Sequence, residues 1–532
     1  MPTRLSLILV AVLAAGPVSA QEVNLRNANL FYAQEDLRVQ RPGVTLEIVR
    51  TYNSRSNAQG SFGHGWSTNL DIICQEGPDG SILVTDADGF MLRYTLEGEP
   101  KERLVERYVD RIVEVKQAQD QNAGSRRQAS YYNDMRVNLL ENPELRANTG
   151  LLLPDAWTDA QPGSYLSFDR GTERMTKKPD GTYVRVRSDG VRYMFDRDGM
   201  LRNLVDAGGR GIRLDYDKAG RLSKVSHSQG GTITLKWNSA GLISGLLDTD
   251  GREVTYKYNQ PGDLVGVVGP GSRQFAYVYD DQHNLTASRV ADGSGFQVNY
   301  DPQNDWVVAI KQGEEISSYV WNLYSDGHQV EITSKNGETR SHRYFDAEHR
   351  HVETLPNGEE VATLLSECCD KPLEVRNDSG VTRYEYDRNA RLLGVEHPDG
   401  NKVRYAYHPK WSKIIQAMYS DGRRFMYSYN DFGELVEAVA RGGRSLRLSY
   451  GQNGKVENIQ EKGGGSYRFV YDRTGRPTEI RKGNEGSLGI RYGVMGEISG
   501  TEIREGDASR SSFYADLREV LQLLEPATGE VQ

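Results

Sequence analysis

From about residue 180 to 510, apolar and polar residues alternate in short runs, and a turn signal ends each run. Gly211-Ile-Arg-Leu-Asp-Tyr216 is one such run; its alternation puts one strand face in an apolar layer and the other in water. Asp217-Lys-Ala-Gly220 then reads as a turn, with Gly220 supplying a positive φ. Arg221-Leu-Ser-Lys-Val225 returns as a second strand, so the pattern predicts a β-hairpin. Asp-Gly pairs at 189, 198, 250, 292, 326, 399 and 421 and Asn-Gly pairs at 336, 357 and 453 mark the same geometry elsewhere. Helical periodicity is absent from this region.

The hairpin recurs. An aromatic residue opening a turn stands at Phe195, Tyr216, Trp237, Tyr258, Tyr279, Tyr300 and Trp321, each 21 residues after the last. The series steps by 24 to Phe345 and resumes at Tyr386, Tyr407, Tyr429, Tyr450, Tyr471 and Tyr492, with Leu365 marking a degenerate unit between. A fixed period of this length means a repeat architecture, here one hairpin written about fourteen times. Two strands per unit give ~28 strands at ~4.8 Å, or a ring roughly 43 Å across if closed in a single turn.

Many units carry Tyr-x-Tyr: Tyr256 and Tyr258, Tyr277 and Tyr279, Tyr384 and Tyr386, Tyr405 and Tyr407, Tyr427 and Tyr429. Residues two apart share a strand face, so stacked units form rows of tyrosine. A phenol tolerates a face that is apolar at the ring and polar at the hydroxyl. These ten residues are therefore the candidate binding residues, on a face expected to meet water or a cargo.

Elsewhere the pattern changes. Leu104, Tyr108 and Ile112, with Val105, Val109 and Val113, form one apolar stripe at helical spacing, and a weaker helical stretch follows at 131–148. This insert reads as a helical flap covering a sheet edge, with a plug or a partner-docking helix pair as the alternatives. At the N-terminus, Arg4, the apolar run Leu5–Ala15, Gly16-Pro17 and Val18-Ser19-Ala20 have the layout of a Sec signal peptide cleaved before Gln21. No later run is long enough for a transmembrane segment.

Composition narrows the function. The 65 basic and 74 acidic residues are interspersed and sum to −9, which excludes a nucleic-acid footprint. Thirty Tyr against 12 Phe, with 56 Gly, restate the repeat. Three cysteines exclude a disulfide-dense scaffold. Cys368 and Cys369 admit a vicinal disulfide, a bridge from one of them to Cys74, or free buried thiols. His342, His349 and His351, near Asp346 and Glu348, lack a zincin spacing and read as surface positions. The Asp-x-Asp-Gly runs at 86, 196 and 248 lack the remaining ligands of a calcium loop and read as turns. No Gly-x-Ser-x-Gly, Walker or dinucleotide-binding motif is present, and no two carboxylates stand at a defined catalytic separation. No enzyme, cofactor or metal is expected.

Tyr216-Asp217-Lys-Ala-Gly220-Arg-Leu222, Tyr386-Asp387-Arg-Asn-Ala390-Arg-Leu392 and Tyr471-Asp472-Arg-Thr-Gly475-Arg476 resemble the YD repeat of Rhs and teneurin-like proteins. Thr51-Tyr-Asn-Ser54 and Gly60-Ser-Phe-Gly-His-Gly-Trp66 resemble the region that precedes the repeats in bacterial Rhs proteins. Cys368-Cys369 with Pro372 and Arg376-Asn-Asp378 is similar to a variant unit of bacterial YD-repeat chains. The resemblance implies a mainly β fold, a long antiparallel sheet spiralling into a shell. With the residue patterns above, the expected organisation is a signal peptide at 1–20, an Rhs-type β region at 21–100, a helical insert at 101–165, the YD-repeat shell at 166–510 and a tail at 511–532. Family toxins continue into a self-cleavage region and a toxin domain, which 511–532 does not match. The function expected is that of an exported, non-enzymatic, periplasmic or extracellular protein whose shell binds, displays or encloses a glycan or protein. The alternative is the shell component of an Rhs-type toxin system whose enzyme is separately encoded or missing.

Overall fold

The computed structural model describes residues 19–528 except 57, 58, 99, 100, 126, 170, 368, 369, 484, 494–497 and 506–509. Residues 1–18 of the expected signal peptide, and Cys368 and Cys369, therefore lie outside the described residues. The chain forms two compact units. The larger runs to Asp71 and resumes at Asp189–Val191 and from Leu204; the smaller comprises Ile72–Ser188 and Arg192–Asn203.

In the larger unit, twenty-eight described strands, from Gly211–Tyr216 to Ile498–Glu505, pair antiparallel in chain order. The hairpin expected over 211–225 is observed as strands Gly211–Tyr216 and Leu222–His227. Its turn shows why Asp, Gly and Arg recur at fixed places. Asp217 Oδ1 accepts from the backbone N–H groups of Ala219 and Arg221, and Arg221 Nε donates to Asp217 Oδ2 at 2.9 Å. Gly220 sits at φ 75°, where a side chain is disfavoured. Asp206 with Arg210, Asp248 with Arg252, Asp387 with Arg391 and Asp472 with Arg476 repeat the clamp.

A β-bulge falls immediately before the turn aromatic in many hairpins, as between Lys257 and Tyr258 and between Val470 and Tyr471. The bulge increases local twist and aims the ring at the preceding hairpin. There the hydroxyl donates to a main-chain carbonyl fifteen residues upstream. Tyr258 bonds Ile243 O, Tyr279 Leu264 O, Tyr300 Leu285 O, Tyr450 Leu435 O, Tyr471 Val456 O and Tyr492 Pro477 O, all at 2.6–3.0 Å. Trp237 reaches Leu222 O through Nε1 in the same way.

The sheet of this unit curls back on itself. Arg210 Nη1 meets Glu434 Oε1 at 2.7 Å across a separation of 224 residues, and its guanidinium lies 4.5 Å over the Phe432 ring. That separation is about eleven hairpins. At ~4.8 Å per strand it corresponds to a circumference of ~105 Å and a width of about 34 Å, narrower than fourteen hairpins in one turn would give.

Two other elements of the larger unit pack on the sheet. Strands Ser19–Asn24, Asn29–Val39, Leu46–Asn53 and Trp66–Thr68 form a separate four-stranded sheet. Its first strand pairs Ser19 with Gln34 and Ala20 with Ala33. Helix Arg510–Thr528 occupies part of the expected tail, burying Leu517, Val520, Leu521, Leu523 and Leu524 against strands between Ile414 and Ile490.

The smaller unit carries the strands Ile73–Glu76, Ile82–Thr85 and Met91–Leu96, then helices Lys101–Asn122, Ala129–Glu141 and Pro143–Leu151, then further hairpin strands. The stripe is observed: Tyr108, Val109, Ile112 and Val115 are buried with Leu139 and Leu153. Asn142 starts the third helix by accepting from Leu145 N at 3.0 Å, with a proline in the first turn. No helix among the described residues is long and apolar enough to cross a membrane.

Candidate functional site: an aromatic face with two internal occupants

The ten candidate tyrosines lie on the repeat sheet, but the chain itself covers much of their face. Tyr256 and Tyr277 are buried beneath the N-terminal strands. At their centre is Arg50, fully buried, whose Nε and Nη2 hold Asp36 at 2.5 and 2.9 Å. Tyr256 donates to Asp36 Oδ2 at 2.6 Å. The Arg50 guanidinium lies 4.9 Å over Trp66 and 5.7 Å over both Tyr256 and Tyr277. Burial opposes the Arg50 charge, but the Asp36 carboxylate together with the Tyr277 and Tyr256 phenols more than offsets it, and the guanidinium is held well above its ordinary range. Burial and the same carboxylate push the Tyr256 phenol far up. Trp66 Nε1 donates to the Tyr279 hydroxyl, which itself donates to Leu264 O. The expected wet face is here a dry core, because the N-terminal strands supply both the apolar cover and the polar partners.

The C-terminal helix does the same at the other end. Tyr427 is buried and donates to Leu523 O of the helix at 3.1 Å. Tyr405, Tyr407 and Tyr429 pack against the helix-bearing cluster, and Tyr407 and Tyr429 bond Leu392 O and Ile414 O. Tyr384 and Tyr386 pack beside Leu392, Val395 and Val403. Lys482 Nζ to Asp516 at 2.6 Å and Arg444 to Glu519 at 3.2 Å hold the helix at its rim.

Between these occupants the face is open. From Glu315 to Tyr386 only Val330 and His342 are buried among the described residues. Cross-strand pairs put Tyr319 opposite Ile332, Trp321 opposite Val330, His328 opposite Tyr344, and Tyr344 opposite His351, all on one face. Their rings form a ladder. Centroids are 4.6 Å apart for His328 and Tyr344, 4.5 Å for Tyr344 and His351, and 5.3 Å for His351 and His342, with near-parallel planes. Tyr319 and Trp321 stack beside it at 6.4 Å. Arg26 lies 5.4 Å over Tyr344, and the Leu25 carbonyl is 2.9 Å from His328 Nε2. Burial, reinforced by the neighbouring His342, lowers the His351 pKa to about 4, and burial lowers that of His342. His342 and His351 are thus uncharged at neutral pH. A cleft of about 370 Å³ lies alongside, lined by Val23, Leu25, Ile310, Tyr319 and Ile332 with Glu22 and Glu315 at its edge.

The remaining candidates resolve differently. Cys74 is buried, which pushes its thiol up to about 12, and its candidate partners Cys368 and Cys369 lie outside the described residues. His349 occupies a turn at φ 47°, while His342 and His351 meet at 3.1 Å. In the Asp-x-Asp-Gly runs, Asp86 bonds Arg185, Asp196 bonds Arg202 and Asp248 bonds Arg252, which commits these carboxylates to arginine. The ladder residues His328, Tyr344 and Tyr319 were not among the candidates. Trp321 already belonged to the period, and Tyr319 repeats the aromatic-x-aromatic spacing with Trp in the second place. The pairing of Tyr344 with His351 follows from a register that the 24-residue step conceals.

Two family models match the sequence. One, described as a domain of unknown function (DUF6531), covers residues 20–94. The other, described as RHS Repeat, covers residues 195–232, the hairpin whose clamp and bulge recur along the sheet. No curated protein matches. Among solved structures, the Tc holotoxin pore of Photorhabdus luminescens aligns at 11% identity over 95% of this chain and 36% of that one, with a TM-score of 0.40. A TcdB2-TccC3 crystal structure aligns at 12% identity over 64% and 28% of the two chains, with a TM-score of 0.34. The chain thus spans about a third or less of the length of these solved chains.

Proposed function

We propose that this chain, a YD-repeat protein of the Rhs type, is an exported, non-enzymatic protein that holds a partner on the open stretch of its aromatic face. One observation carries the reading. The face is covered by the protein's own strands at Tyr256 and Tyr277 and by its own helix at Tyr427, and is left half-exposed at Tyr319, Trp321, Tyr344 and His351 between them. The two covered ends demonstrate what the face accepts: apolar side chains against the rings, with a few main-chain or carboxylate partners for the hydroxyls. A ladder of flat rings accepts a sugar ring or an extended peptide by stacking. The binding residues are therefore reassigned from the covered tyrosines to Tyr319, Trp321, Tyr344 and His351.

The test is binding of defined glycans and peptides to the purified chain, compared with Tyr319→Ala and Tyr344→Ala. Saturable binding lost in both variants with folding intact supports the reading. Binding that survives both, or no binding across a broad panel, overturns it. The inward curl favours a second reading, in which the sheet is the shell component of a toxin system with a separately encoded cargo. Intact-mass analysis of the protein purified from its own host separates the two, since a retained second polypeptide supports the shell and a lone chain counts against it.

A further inference from the structure

The YD turn has a recurring chemistry, and two consecutive units depart from it side by side. In the regular turn the first residue is Asp, the fourth takes a positive φ and the fifth is the Arg that clamps the Asp, as in Asp217–Arg221. In the unit at 259–263 the first residue is Asn259 and the fifth is Asp263. Asn259 Nδ2 donates to Asp263 Oδ2 at 2.8 Å, which leaves the other carboxylate oxygen free of the clamp. In the next unit, 280–284, the fourth residue is His283, held at φ 67° where Gly220 stands in the regular turn. A histidine in this region of backbone space is uncommon and costs more than glycine.

The two departures meet. His283 Nδ1 lies 2.7 Å from Asp263 Oδ1, and Asp263 is buried. A third group arrives from the N-terminal region. The His64 ring lies over that of His283, with centroids 3.9 Å apart and planes at 15°. His64 is flanked by Gly63 and Gly65, both at positive φ. A Cβ on Gly63 would stand 2.4 Å from the Gly262 carbonyl oxygen, so only glycine lets this loop press His64 onto the turn. One ligand atom from each of His64, Asp263 and His283 lies within 4.8 Å of the others. Among the described residues this is the group of His, Cys, Asp and Glu side chains that converges in this way.

We propose that His64, Asp263 and His283 bind a divalent first-row transition metal ion of the zinc class. Two imidazoles and one carboxylate suit Zn²⁺ and its neighbours, not Ca²⁺ or Mg²⁺, which take all-oxygen sets. His283, about a third exposed, leaves a side open for water as the fourth ligand. His283 ligates through Nδ1 with its ring hydrogen on Nε2, and the 2.7 Å separation of Nδ1 from Asp263 Oδ1 opens to about 3.3 Å around the ion. Asp263 is oriented from behind by Asn259, and the Tyr52 hydroxyl reaches the His283 carbonyl at 3.4 Å. The ion joins the N-terminal loop to the turns of two successive hairpins and acts as a structural clip.

The experiment uses tag-free full-length protein stripped with a chelator and titrated with Co²⁺. The expected result is one equivalent bound, with the visible absorption of a low-symmetry site, and a melting temperature that rises with the logarithm of added Zn²⁺. His64→Ala and His283→Gly abolish both effects. His283→Gly guards against mere misfolding, since it restores the regular turn and leaves the metal-free protein at least as stable. Failure to bind Co²⁺ overturns the proposal, as does binding unchanged in either variant.

Discussion

The guanidinium of Arg50 and the carboxylate of Asp36 share two hydrogen bonds, of 2.5 and 2.9 Å, at a point where neither side chain touches water. Rings from the N-terminal loop and from the repeat sheet surround them. Removing one charge strands the other in a low-dielectric site. Asp36→Asn or Arg50→Met therefore destabilises the protein by about 3–5 kcal/mol in urea denaturation. The double variant Asp36→Leu with Arg50→Met recovers most of that loss. Single variants within about 1 kcal/mol of the parent contradict the reading.

The turn tyrosines are fasteners. Tyr300→Phe and Tyr471→Phe each remove one hydroxyl from a main-chain carbonyl and are expected to cost about 1 kcal/mol. The two lie eight hairpins apart, so their effects add. Urea midpoints of the singles and the double measure this. Two neutral variants would show that the bulge alone sets the stacking.

The C-terminal helix is held by its leucines. Leu521 is fully buried, and Leu521→Ala should destabilise by about 2–5 kcal/mol. Leu521→Asp detaches the helix. Trypsin then cuts after exposed Arg518 several times faster than in the parent, while the repeat sheet stays resistant. An unchanged cleavage rate would mean the packing contributes nothing to the helix's retention.

Acid weakens the ring ladder. His351 holds its proton only below about 4 in the folded protein, against about 6.5 when unfolded. Between those values the unfolded chain binds more protons, so stability is full above pH 6.5 and falls as pH drops toward 4. Arg26, Arg340, Glu353, His328 and His342 surround or face the pair, and His342 adds to the slope in the same direction. Melting temperatures from pH 7.5 to 4.5 test this. His351→Asn flattens the profile, and an unchanged slope in that variant refutes the assignment.

The fold was legible because each hairpin is specified by local chemistry. Alternation set the strands, Asp217, Gly220 and Arg221 set the turn, and the spacing of the aromatics set the repeat. The helical stripe at Leu104–Val113 was legible for the same reason. The destination of the tyrosines was not, because their cover comes from afar. Nothing in the local sequence marks Arg50 and Asp36, because the strands bearing them meet Tyr256 and Tyr277 more than 200 residues on. The C-terminal leucines gave no sign of the sheet they cover. Nothing in the local sequence singles out His64, Asp263 and His283, and only a comparison of turn positions within the repeat marks the last two as departures.

The fifteen-residue reach of the turn tyrosine has a direction. Each such hydroxyl fastens the hairpin before it, so a hairpin held in this way is incomplete until its successor has formed. A chain emerging from the ribosome meets this condition in order, since the tyrosine that secures a hairpin is synthesised just after it. Growth of the sheet is vectorial, like a zip that closes from one end. The fastening of Tyr492 to Pro477 is followed by the strand Ile498–Glu505 and then by the helix at Arg510–Thr528.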